Sequence, residues 1–236
     1  MGSFYLVGFG PGGWGGEIIE ATLMTVAVSI CAFLFGMVFG TFGAWAKLSR
    51  SLVARWLGDV YTTVFRGIPD LLVIYLLYFG GSAALTAVGR ALGSQGFIGV
   101  NAFLTGALAV GIVSGAYQTE VFRGAFLAIA RGEIEAAKSV GMRPLLMFRR
   151  IVAPQVVRFA LPGMGNVWQL VLKESALVSV TGVVELIRQA QIGSGSTGQP
   201  FYFFTSAAAL YLAVTTMSGW TLRRAERHFQ KGMMRA

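Results

Sequence analysis

The chain has 236 residues, 55% of them hydrophobic and 12% charged, with a mean hydropathy of +0.67. Soluble domains carry about 25% charged residues, so this composition excludes an ordinary soluble globular domain and indicates a polytopic membrane protein. One cysteine and one histidine exclude a disulfide framework and argue against a metal centre.

A membrane-spanning helix takes about 20 apolar residues. The length therefore suits five or six spans with short loops, and predicts a single transmembrane domain over residues 1–236. The chain opens on a glycine-rich stretch. Its Gly8-x-Gly10-x-x-Gly13 spacing formally fits a dinucleotide fingerprint, but Pro11 interrupts it and no strand precedes it. A flexible leader with an interfacial Trp14 is expected instead. Residues 1–16 carry no charge and so no basic region of a signal peptide.

The first span is predicted over 18–46. Gly36 and Gly40 give it a smooth face where another helix can approach, and Cys31 within it reads as a small packing residue. The second, over 56–80, carries Arg66, Gly67, Pro69 and Asp70 inside its length. Pro69 lacks an amide hydrogen and disfavours helical geometry at Ile68, so the helix should break there. Freed backbone groups survive in a membrane only against protein or a water-filled cavity, which places 66–70 in the bundle interior. A Gly/Ala/Ser-rich loop follows and ends near Asn101. The third span, 101–123, repeats the smooth face at Gly111 and Gly115 and ends among polar groups.

Residues 131–154 are the most polar long segment in the chain. They predict an amphipathic helix interrupted near Gly141, with Pro144 opening a second turn. The fourth span, 155–181, should be broken early by Pro162 and Gly163. Lys173 and Glu174 lie deep within it, where a charged pair should face the interior. A loop is expected around 193–198, with Glu185 and Arg188 as an external pair of small weight. The fifth span covers 200–222, and His228 falls in a solvated basic tail.

Lys47, Arg50 and Arg55, seven basic residues between 123 and 158, and five in the C-terminal tail account for most of the 19 Lys and Arg. The positive-inside rule places these segments, and the C-terminus, in the cytoplasm. Five spans then put the N-terminus outside. Charge split over three inter-span segments does not suit nucleic-acid binding.

The polar segment reads E-A-A-K-S-V-G-M-R-P-L-L-M-F-R-R-I-V-A-P from Glu135 to Pro154. It resembles the EAA loop of bacterial importer permeases driven by ATP-binding cassettes. Glu135, Ala136, Ala137, Gly141, Ile151 and Pro154 fall at that loop's spacing, with Ala153 in place of its usual leucine. The stretches Y-T-T-V-F-R-G-I-P-D from Tyr61 and L-K-E-S-A-L-V-S from Leu172 are similar to those of polar amino-acid permeases, of the histidine/lysine/arginine/ornithine and octopine/nopaline type.

The resemblance implies an all-α integral membrane protein of the type I ABC importer permease fold with five transmembrane helices. It implies a second permease subunit, two ATP-binding cassette subunits and a periplasmic substrate-binding protein, all in the bacterial inner membrane or at its faces and surrounded by lipid. The EAA loop would then be a coupling helix, with Glu135 pairing to basic residues of the ATPase. No Gly-x-x-x-x-Gly-Lys-Ser/Thr occurs, so ATP and Mg would be bound by the partner ATPase and this chain would hold no cofactor. Candidates for the substrate pathway are Arg66, Gly67, Pro69 and Asp70 at the helix break, Lys173, Glu174 and Ser175, and Gln118. Asp70 and Glu174 would supply negative charge to a cationic ligand. An ATP-independent facilitator or channel is the alternative reading. A membrane enzyme would need a convergent catalytic set, which one histidine and one cysteine do not supply.

Overall fold

The structure is a computed structural model and describes residues 6–93 and 96–230. The side chain of His228, residues Lys231 and Arg235 of the basic tail, and residues 1–5 of the leader lie outside the described residues. Helix α1 spans Gly15–Leu48. The leader before it is not a free strand of chain. Trp14 N donates to Leu6 O at 2.8 Å, and Gly15 N to Gly8 O at 3.0 Å. Gly13 makes this turn possible, because a Cβ there would sit 2.2 Å from Gly8 O. Trp14 itself packs edge-on against Phe203, at 5.7 Å between ring centroids. For residues 6–16 the expectation of a flexible leader is therefore corrected: backbone hydrogen bonds fold this stretch on itself and Trp14 seats it against the bundle.

Helix α4, Ala102–Leu127, packs along α1 and forms the centre of the fold. The two smooth faces meet each other. A Cβ on Gly40 would lie 2.7 Å from Gln118 Cβ and 3.2 Å from backbone atoms of α4, and one on Gly111 would lie 2.6 Å from Phe35 Cβ. Lipid supplies no hydrophobic drive for helices to associate, so this close backbone approach is itself the source of attraction.

Helix α2, Leu52–Gly67, ends at the expected break, and Ile68 and Pro69 are extended. Helix α3 restarts at Asp70 and runs to Ala91 through a π-helical turn at Leu76–Gly80. The apolar stretch long enough to cross a membrane is thus Asp70–Ala91 rather than 56–80. The break detaches α2, whose aromatic and charged residues mix, from the charge-free run that follows. Thr86 Oγ1 accepts from Ile98 N and Ser82 Oγ accepts from Val100 N. These bonds satisfy the returning backbone before Asn101 caps α4.

Lys47, at the end of α1, donates to Thr62 of α2 and pairs with Asp59 of α2 and Glu120 of α4. Arg123 completes the group on Glu120. Three helices are tied at one end of the bundle by this half-buried cluster. Lys47→Met strips a partner from two carboxylates, and a loss of about 1–3 kcal/mol is expected. A lower melting temperature in detergent, with α-helix content unchanged, is the check.

Helix α5, Arg131–Ser139, and the short α6, Pro144–Met147, flank Gly141 at φ +72°. From α6 the chain continues through a π-helical turn, Phe148–Val152, into α7, Ala153–Glu174, and a 3₁₀ segment, Ser175–Thr181. Pro162 does not break α7. Helix-interior proline is tolerated in membrane proteins where neighbours re-satisfy the freed carbonyl, and Gly163 beside it lets Val121 of α4 pack closely, 2.8 Å from where a Cβ would stand.

Residues 193–197, expected as a loop, are helical within α8, Leu186–Thr197. Their small side chains serve packing: a Cβ on Gly193 would meet the Phe203 ring at 2.2 Å. Glu185 is not half of an external pair either. It is fully buried, accepts from Ile187 N and Arg188 N as the N-cap of α8, and receives the Tyr211 hydroxyl of α9, Pro200–Gln230.

Among the described residues, four helices are long and apolar enough to cross a membrane: Gly15–Leu48, Asp70–Ala91, Ala102–Leu127 and Pro200–Arg227. Helix α7 is not one of them, because Arg158, Asn166, Gln169, Lys173 and Glu174 interrupt its apolar residues.

Candidate functional site

The two sequence-predicted regions fold into two separate places. The first is at the end of the bundle carrying α5 and α6. Ala136, Ala137, Ile151 and Pro154 line one cavity of about 530 Å³. Glu133 of α5 and Gln155 of α7 hydrogen-bond across it. Ala137 is buried against the body, whereas Glu135 and Ala136 face out. The left-handed conformation of Gly141, costly for any residue with a Cβ, folds α5 back on the chain that follows. Val140 and Leu145 are 76% and 79% exposed beside it. The outer surface of this hairpin therefore mixes exposed apolar side chains with basic ones and with the Glu135 carboxylate, which bonds to nothing among the described residues.

The second place is where the helix break meets the end of α7. The Asp70 and Glu174 carboxyl groups face each other within hydrogen-bonding reach, and Glu174 is 7% exposed. Glu174 Oε2 has no hydrogen-bond partner. The expectation that Lys173 and Glu174 both turn inward is corrected. Successive helical residues point about 100° apart, and only Glu174 is buried. Lys173 is exposed and lines a cavity of about 350 Å³ with Tyr117, Asn166 and Gln169. Arg66 reaches the same aromatic ring, 5.2 Å from the Tyr117 centroid.

The break and the Lys173–Ser175 cluster thus converge around Tyr117, although Arg66, Gly67 and Pro69 themselves lie on the exposed surface and not in the interior. Ser175 is buried and donates to Leu172 O. Gln118 is turned the other way, into the α1–α4 contact, where its Nε2 donates to Phe33 O at 3.3 Å. Tyr117, Asn166 and Gln169 were missed from the sequence, although their polarity inside an apolar run was a usable signal. Two facing carboxyls, with Arg66 and Lys173 both close to Tyr117, make this a cluster of mixed charge beside an open cavity.

Residues 32–231 match the family model described as binding-protein-dependent transport system inner membrane component. The chain is 59% identical to the octopine transport system permease protein OccQ of Rhizobium meliloti, over 100% of this chain and 99% of that protein. It is 39% identical to the histidine/lysine/arginine/ornithine transport system permease protein HisQ of Escherichia coli, over 95% of this chain and 98% of that one. The fold is similar to a crystal structure of an amino acid ABC transporter with histidines, at TM-score 0.76 and 32% identity, covering 91% of this chain and 95% of that one.

Proposed function

This chain belongs to the binding-protein-dependent inner-membrane permeases, non-catalytic components of ABC importers, and on that premise we propose the substrate, topology and partners that follow. It imports cationic amino acids or opines. Five helices cross the membrane, the fifth being α7 sheltered among its neighbours, with the N-terminus outside and the C-terminus in the cytoplasm. It forms one domain over 1–236, with 131–154 as its coupling loop. It pairs with a second, related permease, two ATPase subunits that bind ATP and Mg, and a periplasmic binding protein.

One observation carries this reading: the motif residues Ala136 and Ala137 of α5 and Ile151 and Pro154 beyond the Gly141 turn fold around a single cavity, with Glu135 exposed on the same helix. A solvated surface loop has no need of that construction. Charge supports the orientation, since Lys47, Arg50, Arg55 and the basic residues of 123–158 belong to one side.

For the substrate, the facing Asp70 and Glu174 carboxyls supply negative charge for a cation, and Lys173 with Asn166 and Gln169 supply donors for a carboxylate. Arg66, Gly67, Pro69 and Ser175 shape this pathway, and Gln118 holds α1 behind it.

The test is ATPase activity of the reconstituted importer, with liganded binding protein added for one candidate amino acid or opine at a time. Stimulation by a cationic ligand is expected. With Asp70→Asn, at least tenfold less transport of that ligand is expected at unchanged binding-protein affinity. Activity independent of any binding protein would overturn the importer reading in favour of a facilitator.

A further inference from the structure

A third cavity lies at the end of the bundle opposite the coupling loop, where α1, α4 and α8 all begin. It encloses about 470 Å³, the size of a small-molecule site. Glu17 and Glu20 of α1 line it, one helical turn apart, together with Asn101 and Gln189. Among the described residues no lysine or arginine lines it. Two carboxylates alone would be an ordinary solvated helix start. Gln189 makes the difference. It is 6% exposed, its backbone N bonds to Glu185 O, and its side-chain amide has no hydrogen-bond partner among the described residues. The rest of the side chain is packed away, so its amide opens onto the cavity and not onto protein. An amide held this way beside two carboxylates is a polar group presented to whatever enters from outside.

We infer that this cavity is an entry site for a cationic amino acid, with its positive side chain toward Glu17 and Glu20 and its carboxylate toward the amides of Gln189 and Asn101. The volume admits a whole amino acid and not only the tip of a protein side chain. Asn101 keeps its amide nitrogen for the ligand, because its Oδ1 is the acceptor that caps α4. The site is distinct from the Asp70–Glu174 pair, with which it shares no residue. The choice of ligand rests on the importer reading; the cavity does not.

The experiment is equilibrium binding of radiolabelled L-arginine to the purified complex of permeases and ATPases, without binding protein or nucleotide. An Asp70→Asn/Glu174→Gln background removes the inner carboxyl pair. Saturable binding is expected, with L-citrulline, the uncharged isostere, failing to compete. Glu17→Gln/Glu20→Gln should weaken it about tenfold or more, the scale of losing charge-assisted hydrogen bonds. Both glutamates are exposed and bonded to nothing among the described residues, so the double variant keeps the fold.

Binding unchanged in that variant, competition by citrulline, or no binding up to about 10 mM overturns the entry site. Weakened association of the binding protein with arginine binding intact also overturns it, and makes the cation a side chain of that protein. The importer reading fails separately, through loss of binding-protein-stimulated ATPase activity, which this assay does not use.

Discussion

Glu135→Arg leaves the importer inserted and assembled but lowers ATPase stimulation by liganded binding protein at least tenfold. Glu135 stands on the outward side of α5, opposite the buried Ala137, and contributes no bond to the fold of its own chain. Its removal therefore costs this chain little stability. At an interface the same change brings a guanidinium against the basic groups a carboxylate would meet. Like charges across a contact cost several kcal/mol, and truncating a buried charge partner costs about 2–5 kcal/mol. Every 1.4 kcal/mol is about tenfold in an equilibrium, so the expected loss is conservative. The measurement compares stimulated and basal ATPase activity in vesicles. Glu135→Gln should fall between the variant and the parent. Parental stimulation with arginine at 135 would remove the coupling role.

Gly40→Leu is expected to destroy the fold rather than the coupling. The nearest obstacles are Gln118 Cβ at 2.7 Å and backbone atoms of α4 at 3.2 Å from the first added carbon, and none of these is the far end of a flexible side chain. Overpacking costs about 1–3 kcal/mol where neighbours can move, and more where they cannot. Here the helices must separate along their main contact, so about 3 kcal/mol or more is expected. The readout is the yield of monodisperse complex and its melting temperature in detergent. Gly124→Leu on α4, with no atom within 4 Å of its added carbon, should change neither by much. Equal losses in both would mean that close approach to α4 does not set Gly40 apart, since leucine is the better helix former at either position.

Much of this arrangement was legible in the chain. Pro69 marked the break because proline's lost donor is a local property, and the Gly36/Gly40 and Gly111/Gly115 spacings marked two faces that turned out to be partners. What the residues did not reveal depended on neighbours distant in sequence. Gly193, Ser194, Gly195 and Ser196 have the composition of a loop, yet Phe203 needs the space they leave and Glu185 caps the helix they form. Pro162 is a helix breaker only where no neighbour compensates. Lys173 and Glu174 are adjacent in sequence, which is why they do not share a face. The EAA-like spacing showed which residues belong together, but the cavity they enclose required the left-handed turn at Gly141. Gln189 carried no signal at all, since its meaning lies in an amide left unpaired.

The helical run from Pro144 through Glu174 contains no loop. Its 31 residues extend about 46 Å at 1.5 Å each. One end belongs to the hairpin that carries Glu135; the other carries the carboxyl that faces Asp70. The two are therefore joined by continuous helix and not by a flexible linker. On the coupling proposed above, a push or twist at the hairpin would reach Glu174 along this rod, whose two points of give are the widened turn at Phe148–Val152 and the missing amide hydrogen at Pro162.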